Sequence, residues 1–172
     1  MMNLSSLFVS KFFEWLLAED APAQQGQDAE QRTPLFPPWS SAADSFRSLC
    51  TGCGACTAAC PNQILALNED GLPVIDFSQN ACTFCGSCAK SCPTGALQFN
   101  PDSTAWSIRA RVSENCLLGR RVLCRSCGDR CERGAIRFPL AEGQLPTIAA
   151  DQCNGCGACA SVCPVDAVLF SE

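Results

Sequence analysis

Four short apolar runs recur along the chain, separated by loops rich in small and polar residues: 64–67, 96–99, 135–138 and 167–170. Each run predicts a helical turn that leads into a short strand. Residues 71–77 and 143–148 begin with glycine, and the apolar positions that follow predict a return strand. Residues 106–112 alternate, with Arg109 and Arg111 on one face, and predict another strand that pairs with a hairpin edge. The pattern predicts an α+β fold of small hairpins and helical turns.

The loops before these runs contain all the cysteines. The chain has 16 cysteines, which form four groups of four with none left over. Three groups share the spacing C-x2-C-x2-C-x3-C-P: Cys50, Cys53, Cys56 and Cys60; Cys82, Cys85, Cys88 and Cys92; Cys153, Cys156, Cys159 and Cys163. The third group in chain order keeps the second half of this spacing and stretches the first: Cys116, Cys124, Cys127 and Cys131. The regular spacing is that of bacterial [4Fe–4S] ferredoxins.

The spacing has a physical reason. Three cysteines at i, i+3 and i+6 on a tight loop can reach three corners of one cluster, while the fourth ligates the neighbouring cluster in two-cluster ferredoxins. The small residues between them let backbone N–H groups approach the anionic cluster. Two other interpretations fit less well. Structural zinc uses separated C-x2-C pairs, and disulfides need an oxidising compartment and a geometry that such short loops do not offer.

The chain is an internal duplication. Seven of the first eight cysteines recur 71 residues later, from Cys53 and Cys124 to Cys92 and Cys163. Each half is too small for a large hydrophobic core, so bound clusters must supply much of the folding energy and the apo-protein should be mostly unfolded.

The third group has diverged in three places. Arg121 stands where the repeat predicts the counterpart of Cys50, and Cys116 replaces it five residues earlier. Arg125 stands at the position of a glycine, and Glu132 at that of a proline. Either this site tolerates change, or its cluster differs in potential, lability or access. The spacing alone leaves open whether it holds a full cluster.

Charge is unevenly distributed. The net charge is −5, yet residues 109–137 contain eight of the 12 basic residues and three acidic ones, a local net of +5 that leaves −10 for the rest. This window is either a solvated face, a docking surface for an acidic protein, or a means of raising the potential of the third cluster. Nucleic-acid binding is disfavoured because the whole chain is acidic and carries no such fold motif.

The first 36 residues differ from the rest. Residues 1–18 are rich in Leu, Phe and Trp and predict an amphipathic helix, and residues 21–32 predict a flexible linker. The helix could cap the fold, contact a partner or lie on a membrane surface. It is too short and too interrupted by charge to span a membrane, and it lacks the basic start of a signal peptide. We therefore expect a cytoplasmic protein, with an apolar anchor at residues 35–40 that packs on the first unit.

The sequence offers no catalytic machinery of its own. It has no histidine, which excludes Rieske ligation and a Ser–His pair, and it has no phosphate-binding loop or dinucleotide fingerprint. We predict no catalytic residues and no enzyme activity, so redox chemistry would belong to the clusters and to the protein they contact.

A family resemblance becomes specific when the motifs are taken together. The chain resembles NapF, the ferredoxin-type accessory proteins of the bacterial periplasmic nitrate reductase system, through Pro-Pro-Trp-Ser at 37–40, two regular groups, Ala-Trp at 105–106, the stretched group and Cys-Asn-Gly-Cys-Gly-Ala-Cys at 153–159. The resemblance runs from about residue 37 to residue 168. It implies that the twelve cysteines of the regular groups ligate three clusters, and that the third group's four ligate a fourth.

Ligand exchange between neighbouring groups, as in two-cluster ferredoxins, defines four sets. The first set is Cys50, Cys53, Cys56 and Cys92; the second is Cys82, Cys85, Cys88 and Cys60; the third is Cys116, Cys124, Cys127 and Cys163; the fourth is Cys153, Cys156, Cys159 and Cys131. The alternative is one cluster for each group. We predict an amino-terminal segment at 1–36, a first two-cluster unit at 37–101 (motifs about 41–70 and 73–102) and a second at 102–172 (motifs 116–131 and about 144–172).

The resemblance also implies a function. Such a protein would bind the cytoplasmic precursor of the nitrate reductase catalytic subunit and assist its maturation before export, by Fe–S assembly or by reduction. From the residues alone, a polyferredoxin electron carrier between a cytoplasmic donor and a reductase is the alternative.

Overall fold

The computed structural model describes residues 34–172, so the predicted amino-terminal helix and linker lie outside the described residues. The described residues form one compact unit. Its helices are α1 (Ala43–Leu49), α2 (Ala55–Ala58), α3 (Ser87–Lys90), a 3₁₀ helix (Leu117–Arg120) and α4 (Ser126–Asp129). Its strands are β1 (Leu65–Leu67), β2 (Pro73–Ile75), β3 (Arg109–Val112), β4 (Ile136–Arg137), β5 (Thr147–Ile148) and β6 (Val168–Ser171). The order confirms a mixed fold of short helices and strands.

Two of the three small antiparallel sheets are the predicted hairpins. In the first half β1 pairs with β2, with Leu65 opposite Ile75. In the second half β4 pairs with β5, with Ile136 opposite Ile148. Each hairpin joins an apolar run to its glycine-initiated return strand, as the sequence pattern predicts.

The third sheet corrects the prediction for residues 106–112. β3 pairs with β6, from Arg109 opposite Ser171 to Val112 opposite Val168. In the described chain β6 has no other strand partner, so β3 does not join a hairpin edge. The predicted strand at 96–99 is also reduced, to one bridge between Ser40 and Leu97. Pro37 and Pro38 have no N–H to donate, which limits the ladder on that side.

The hydrophobic core is shared between the two repeats. The larger cluster contains Phe46, Phe77 and Leu97 of the first repeat together with Ile108 of the connecting segment, and Phe170 packs against it. A smaller cluster contains Ala110, Ile136, Cys159 and Val168. The connecting segment after residue 101 packs with the larger core through Ile108. This packing does not test the predicted boundary at 101/102, which stays a prediction.

The apolar anchor before the first group packs on the first unit, as the sequence pattern predicts. Pro37 and Pro38 are fully buried, and the Ile75 N–H donates to the Leu35 carbonyl at 2.9 Å. Helix α1 is an addition that the sequence pattern does not predict; its Phe46 is 0% exposed. Within residues 34–172, every helix is too short or too polar to cross a membrane.

Candidate iron-sulfur centres

The first set of cysteines surrounds a cavity between α1 and α2. Cys50 ends α1, and Cys56 lies in α2. Together with Cys53 and Cys92 they line a cavity, whose wall also includes Phe46. The cavity therefore takes three cysteines from one group and the last cysteine from the next.

The second set has the reciprocal composition. Cys82, Cys85 and Cys88 line a second cavity together with Cys60. Pro38 and Trp39 of the apolar anchor form part of its wall. The anchor therefore lies against the second set of cysteines. The sequence predicts only that it packs on the first unit.

The third set forms around the stretched loop. One cavity is lined by Cys116, Cys124, Cys127 and Cys163. The stretch between the first two of these cysteines is taken up by the 3₁₀ helix, and Arg121 ends it with φ +59°. The divergent spacing therefore still brings Cys116 to the other three cysteines.

The fourth set is recognised from the electrostatics of its thiols. Burial raises the pKa of Cys156, and the neighbouring Cys131 and Cys153 raise it further. Burial likewise raises the pKa of Cys159 to about 12, with Cys156 and Cys153 adding to the effect. Cys131 and Cys153 also pack against the smaller core cluster, which contains Cys159, and this packing agrees with the exchanged assignment.

The lining of these sets fits a [4Fe–4S] cluster. Three cavities are each lined by four cysteines, the number of thiolates that a cubane takes. Backbone N–H groups already donate to the sulfurs: Phe84 to Cys82 at 3.4 Å, Ala135 to Cys131 at 3.4 Å and Ala167 to Cys163 at 3.2 Å. Such donors stabilise anionic sulfur and adjust the potential of a bound cluster.

The buried thiols need a cation in order to ionise. Burial raises the pKa of Cys82 to about 12 and that of Cys88 to about 11. Cys85 is different, because its hydrogen bond to the Ser87 hydroxyl at 3.4 Å lowers its pKa. Iron binding would replace the protons on the buried thiols, so site formation and deprotonation are coupled.

The four sets are connected one to the next as a row. The first and second sets meet between α2 and α3, where Cys56 and Cys88 share the larger core cluster and the Ser91 hydroxyl donates to the Ala55 carbonyl at 3.3 Å. The fourth and third sets meet where Cys127 packs against the smaller core cluster, which contains Cys159. The halves are joined at the second and fourth sets, where the Cys82 N–H donates to the Cys156 carbonyl at 2.8 Å. The order is first, second, fourth, third.

Aromatic side chains hold the second and fourth sets together. The Trp106 indole N–H donates to the Asn154 carbonyl at 2.9 Å, and its ring meets Phe84 edge-on at 5.6 Å and Phe77 at 6.2 Å. Edge-to-face pairs are worth about 0.5–1.5 kcal/mol each beyond their burial. Gly157 is needed here, because a Cβ at this position would fall 2.2 Å from Phe77 Cδ1.

Sequence reasoning missed this aromatic contact. One signal was present: Phe84 stands where the first and last groups have Gly52 and Gly155, and all three residues have positive φ. A bulky side chain in a left-handed conformation is unusual and indicates that its ring has a specific partner.

Comparisons with known proteins agree with this geometry. The family described as 4Fe-4S dicluster domain matches residues 49–96 and 120–167. The chain is 42% identical to the ferredoxin-type protein NapF of Haemophilus influenzae over 140 residues, covering 80% of this chain and 79% of that protein. It is 43% identical to NapF of Escherichia coli K12 over 136 residues, 78% of this chain and 82% of that protein. The chain belongs to the NapF family of ferredoxin-type proteins.

The likeness also extends to a second kind of ferredoxin-type protein. MauM of Methylorubrum extorquens, described as a methylamine utilization ferredoxin-type protein, is 32% identical over 166 residues, 86% of this chain and 75% of that protein. For this NapF family member the two dicluster domains and 16 cysteines support [4Fe–4S] clusters, up to four. Cys116 lies before the second matched segment, so its place in the third set comes from the structure.

The divergence of the NapF third group has a backbone explanation. The glycines after the second cysteine of the first two groups, Gly54 and Gly86, have φ +73°. Arg125, at the corresponding position, has φ −132°. The loop has changed its conformation to one that a residue with a Cβ adopts, and the Arg125 guanidinium lies over the Phe138 ring at 4.4 Å.

Seven of the eight arginines of the basic window fall into two groups. Three arginines are tied to backbone or side-chain oxygens at the second repeat's hairpin: Arg109 to the Ala150 carbonyl at 3.0 Å, and Arg133 and Arg137 to Gln152 at 3.3 and 2.9 Å. Arg120, Arg121, Arg125 and Arg130 are exposed around the stretched loop. Part of the basic window is therefore bonded within the fold, and part of it is exposed to solvent.

Proposed function

We propose that the 16 cysteines hold four [4Fe–4S] clusters in the four exchanged sets. The observation that carries this proposal is the segregation of the cysteines: three cavities each have three cysteines from one group and one from its neighbour. The fourth set is supported by the packing of Cys131 and Cys153 against the cluster that contains Cys159 and by their effect on the pKa of Cys156. The third set is included because Cys116 reaches its cavity in spite of the stretched spacing.

The chain's own residues would hold and shield these clusters. When bound, [4Fe–4S] clusters supply one-electron transfer over a wide range of potentials. The cysteines ligate iron, the backbone N–H groups donate to sulfur, and Phe46, Pro38 and Trp39 exclude water from two of the cavities. We assign no catalytic residue to this chain, so its role is that of an accessory or carrier protein.

We propose that this protein acts in the cytoplasm on the precursor of the periplasmic nitrate reductase catalytic subunit. It would bind the precursor and assist its maturation before export, by contributing to Fe–S assembly or by reduction. The support is the family membership, at 42% and 43% identity to proteins named NapF over about four fifths of the chain.

An anaerobic pull-down tests this proposal. The tagged holoprotein is purified from nitrate-grown cells, and co-purifying proteins and iron per chain are measured. Recovery of an unprocessed, signal-bearing molybdoenzyme precursor with about 16 irons on the bait, four per cluster, supports the maturation role. The matched control is the tagged protein with Cys53→Ser and Cys85→Ser, which removes one ligand from each of the first two sets. This variant should retain fewer irons per chain than the wild-type bait. Recovery of redox enzymes alone, with the clusters intact, would contradict the maturation role.

A second function is favoured by one specific observation. The four sets are connected one to the next, and the two halves are joined at the Cys82 and Cys156 backbone, an arrangement suited to an electron carrier between a cytoplasmic donor and a reductase. A carrier keeps its clusters through many redox cycles, whereas an assembly factor loses iron to an apo-client. Iron transfer to the purified apo-precursor, measured with ⁵⁵Fe-labelled protein, separates the two functions.

A further inference from the structure

We propose that the surface around the stretched loop docks an acidic protein. This surface, which we name the third-site patch, consists of Arg120, Arg121, Val122, Leu123 and Leu140. The inference goes beyond the proposed function because it concerns the place and chemistry of docking and does not depend on which client is bound.

The patch exposes large apolar side chains. Leu123 is 92% exposed and Leu140 is 107% exposed. Of the five large exposed hydrophobic residues in the described chain, three are in this patch, the third being Val122 at 49%. Contiguous exposed apolar residues rimmed by charge mark interaction sites on soluble proteins.

The two loops that carry these residues touch each other. A Cβ on Gly119 would lie 3.1 Å from Leu145 Cδ2, and one on Gly143 would lie 3.9 Å from Arg121 Cγ. The loop at 140–145 is therefore packed beside the loop at 117–123. Leu123 and Leu140 are therefore carried by two loops that contact each other.

The charges of the patch are available to a partner. The Arg121 guanidinium has no hydrogen bond, ion pair or ring contact within the described residues, and that of Arg120 has only an exposed 3.4 Å contact to Asn115 Oδ1. The arginines that the fold uses internally, such as Arg109 and Arg137, lie elsewhere. Because residues 109–137 carry a local net of +5 and the chain outside them a net of −10, the arginines of the patch lie in a positive region that complements an acidic surface.

The patch lies beside the third set of cysteines. Leu123 directly precedes Cys124, and the adjoining Leu117 and Leu118 line the third cavity from within. The third set lies at one end of the row of four. A protein that docks on the patch is therefore placed beside a terminal cysteine set.

The mixture of arginines and leucines in the patch favours a protein partner over nucleic acid. Nucleic acid would be bound by cations and by aromatic stacking, whereas exposed aliphatic side chains between the arginines suit an apolar hollow with an acidic rim on a protein. A second copy of this chain is also an acidic protein, with a net charge of −5. The crosslinking experiment distinguishes an adduct to a second copy from an adduct to a different protein.

Site-specific photo-crosslinking in anaerobic cells tests the patch. Leu123 is replaced by p-benzoylphenylalanine in the full chain, and adducts are identified by mass spectrometry, including the crosslinked peptide. We expect an adduct to an acidic segment of one other protein. The matched control is the same replacement at Leu49, which is 42% exposed and lies in α1. Replacement at Leu140 serves as the second probe if the first variant loses iron.

The arginines are tested in the same cells. Arg120→Gln with Arg121→Gln should lower the adduct yield at least about tenfold, the order of magnitude that steering charges give. Arg47→Gln with Lys90→Gln removes the same number of charges elsewhere and should leave the yield unchanged.

Three outcomes would overturn the proposal. They are an adduct yield no higher than that of the Leu49 control, an adduct to nucleic acid, lipid or a second copy of this chain, and an adduct yield that is unchanged by Arg120→Gln with Arg121→Gln. An adduct to an acidic protein other than the nitrate reductase precursor supports the patch and contradicts the proposed client, so the two failures are distinguishable.

Discussion

Gly157→Ala should loosen the contact between the two halves. Gly157 has φ +85°, and an added Cβ would meet three atoms of the Phe77 ring at 2.2–2.5 Å. Phe77 is only 6% exposed, so the ring has little room to move away. Forcing a methyl group into a packed core costs about 1–3 kcal/mol, and the left-handed backbone adds about 1–2 kcal/mol for any residue with a Cβ.

Gly71→Ala isolates the steric part of this cost. Gly71 has φ +75°, and nothing beyond its chain neighbours lies within 4 Å of the point that an alanine methyl group would occupy, so the variant carries the backbone cost alone. The difference between the variants is then about 1–3 kcal/mol, equivalent to about 5- to 150-fold in an equilibrium or rate constant.

The assay is the anaerobic bleaching of cluster absorbance in guanidinium chloride, because loss of clusters makes unfolding irreversible and the informative quantity is a rate. Gly157→Ala should bleach about 5- to 150-fold faster than Gly71→Ala. Equal rates would refute the reasoning that close packing at Gly157 holds the halves together.

Three further predictions concern single sites. Cys116→Ser should lose one cluster, about four of 16 irons, and leave the first half intact; wild-type iron content would contradict the four-cluster assignment. Trp106→Phe keeps a ring but removes the bond to the Asn154 carbonyl, and it should cost about 1 kcal/mol, seen as faster bleaching; a rate equal to that of wild type would mean that the bond adds nothing. Burial raises the pKa of Cys82 to about 12, and protons compete with iron for such a thiolate, so a chelator should strip iron faster at pH 6 than at pH 8; a pH-independent rate would contradict this.

The sequence predicts much of the site because its cysteine spacing reflects cluster geometry. The groups, the 71-residue repeat and the two hairpins follow from local patterns, and the exchanged sets follow from the short reach of the fourth cysteine. Cys116 is the difficult case, since no spacing rule covers its stretched loop, and only the 3₁₀ helix at Leu117–Arg120 shows how it reaches the cavity.

The remaining features depend on contacts between distant segments. Trp106 lies 48 residues from Asn154, its hydrogen-bond partner, and no local pattern could pair them. The alternation of residues 106–112 predicts β3 as a strand, but its partner β6 lies at the far end of the second repeat. The short α1 escapes prediction because seven residues are too few to show a helical period.

The way in which the halves meet limits how such a protein can grow. The loop at 82–86 and the loop at 153–157 are equivalent under the 71-residue repeat, and each contributes to the junction at Trp106. The contacts themselves are not reciprocal, since the Cys82 N–H donates to the Cys156 carbonyl while the equivalent Cys153 N–H donates to Ala149. Both copies of this face are nevertheless occupied within one chain, so a third repeat could not be added through the same loops. The two ends of the row, the first and third sets, are also equivalent under the repeat and have since diverged.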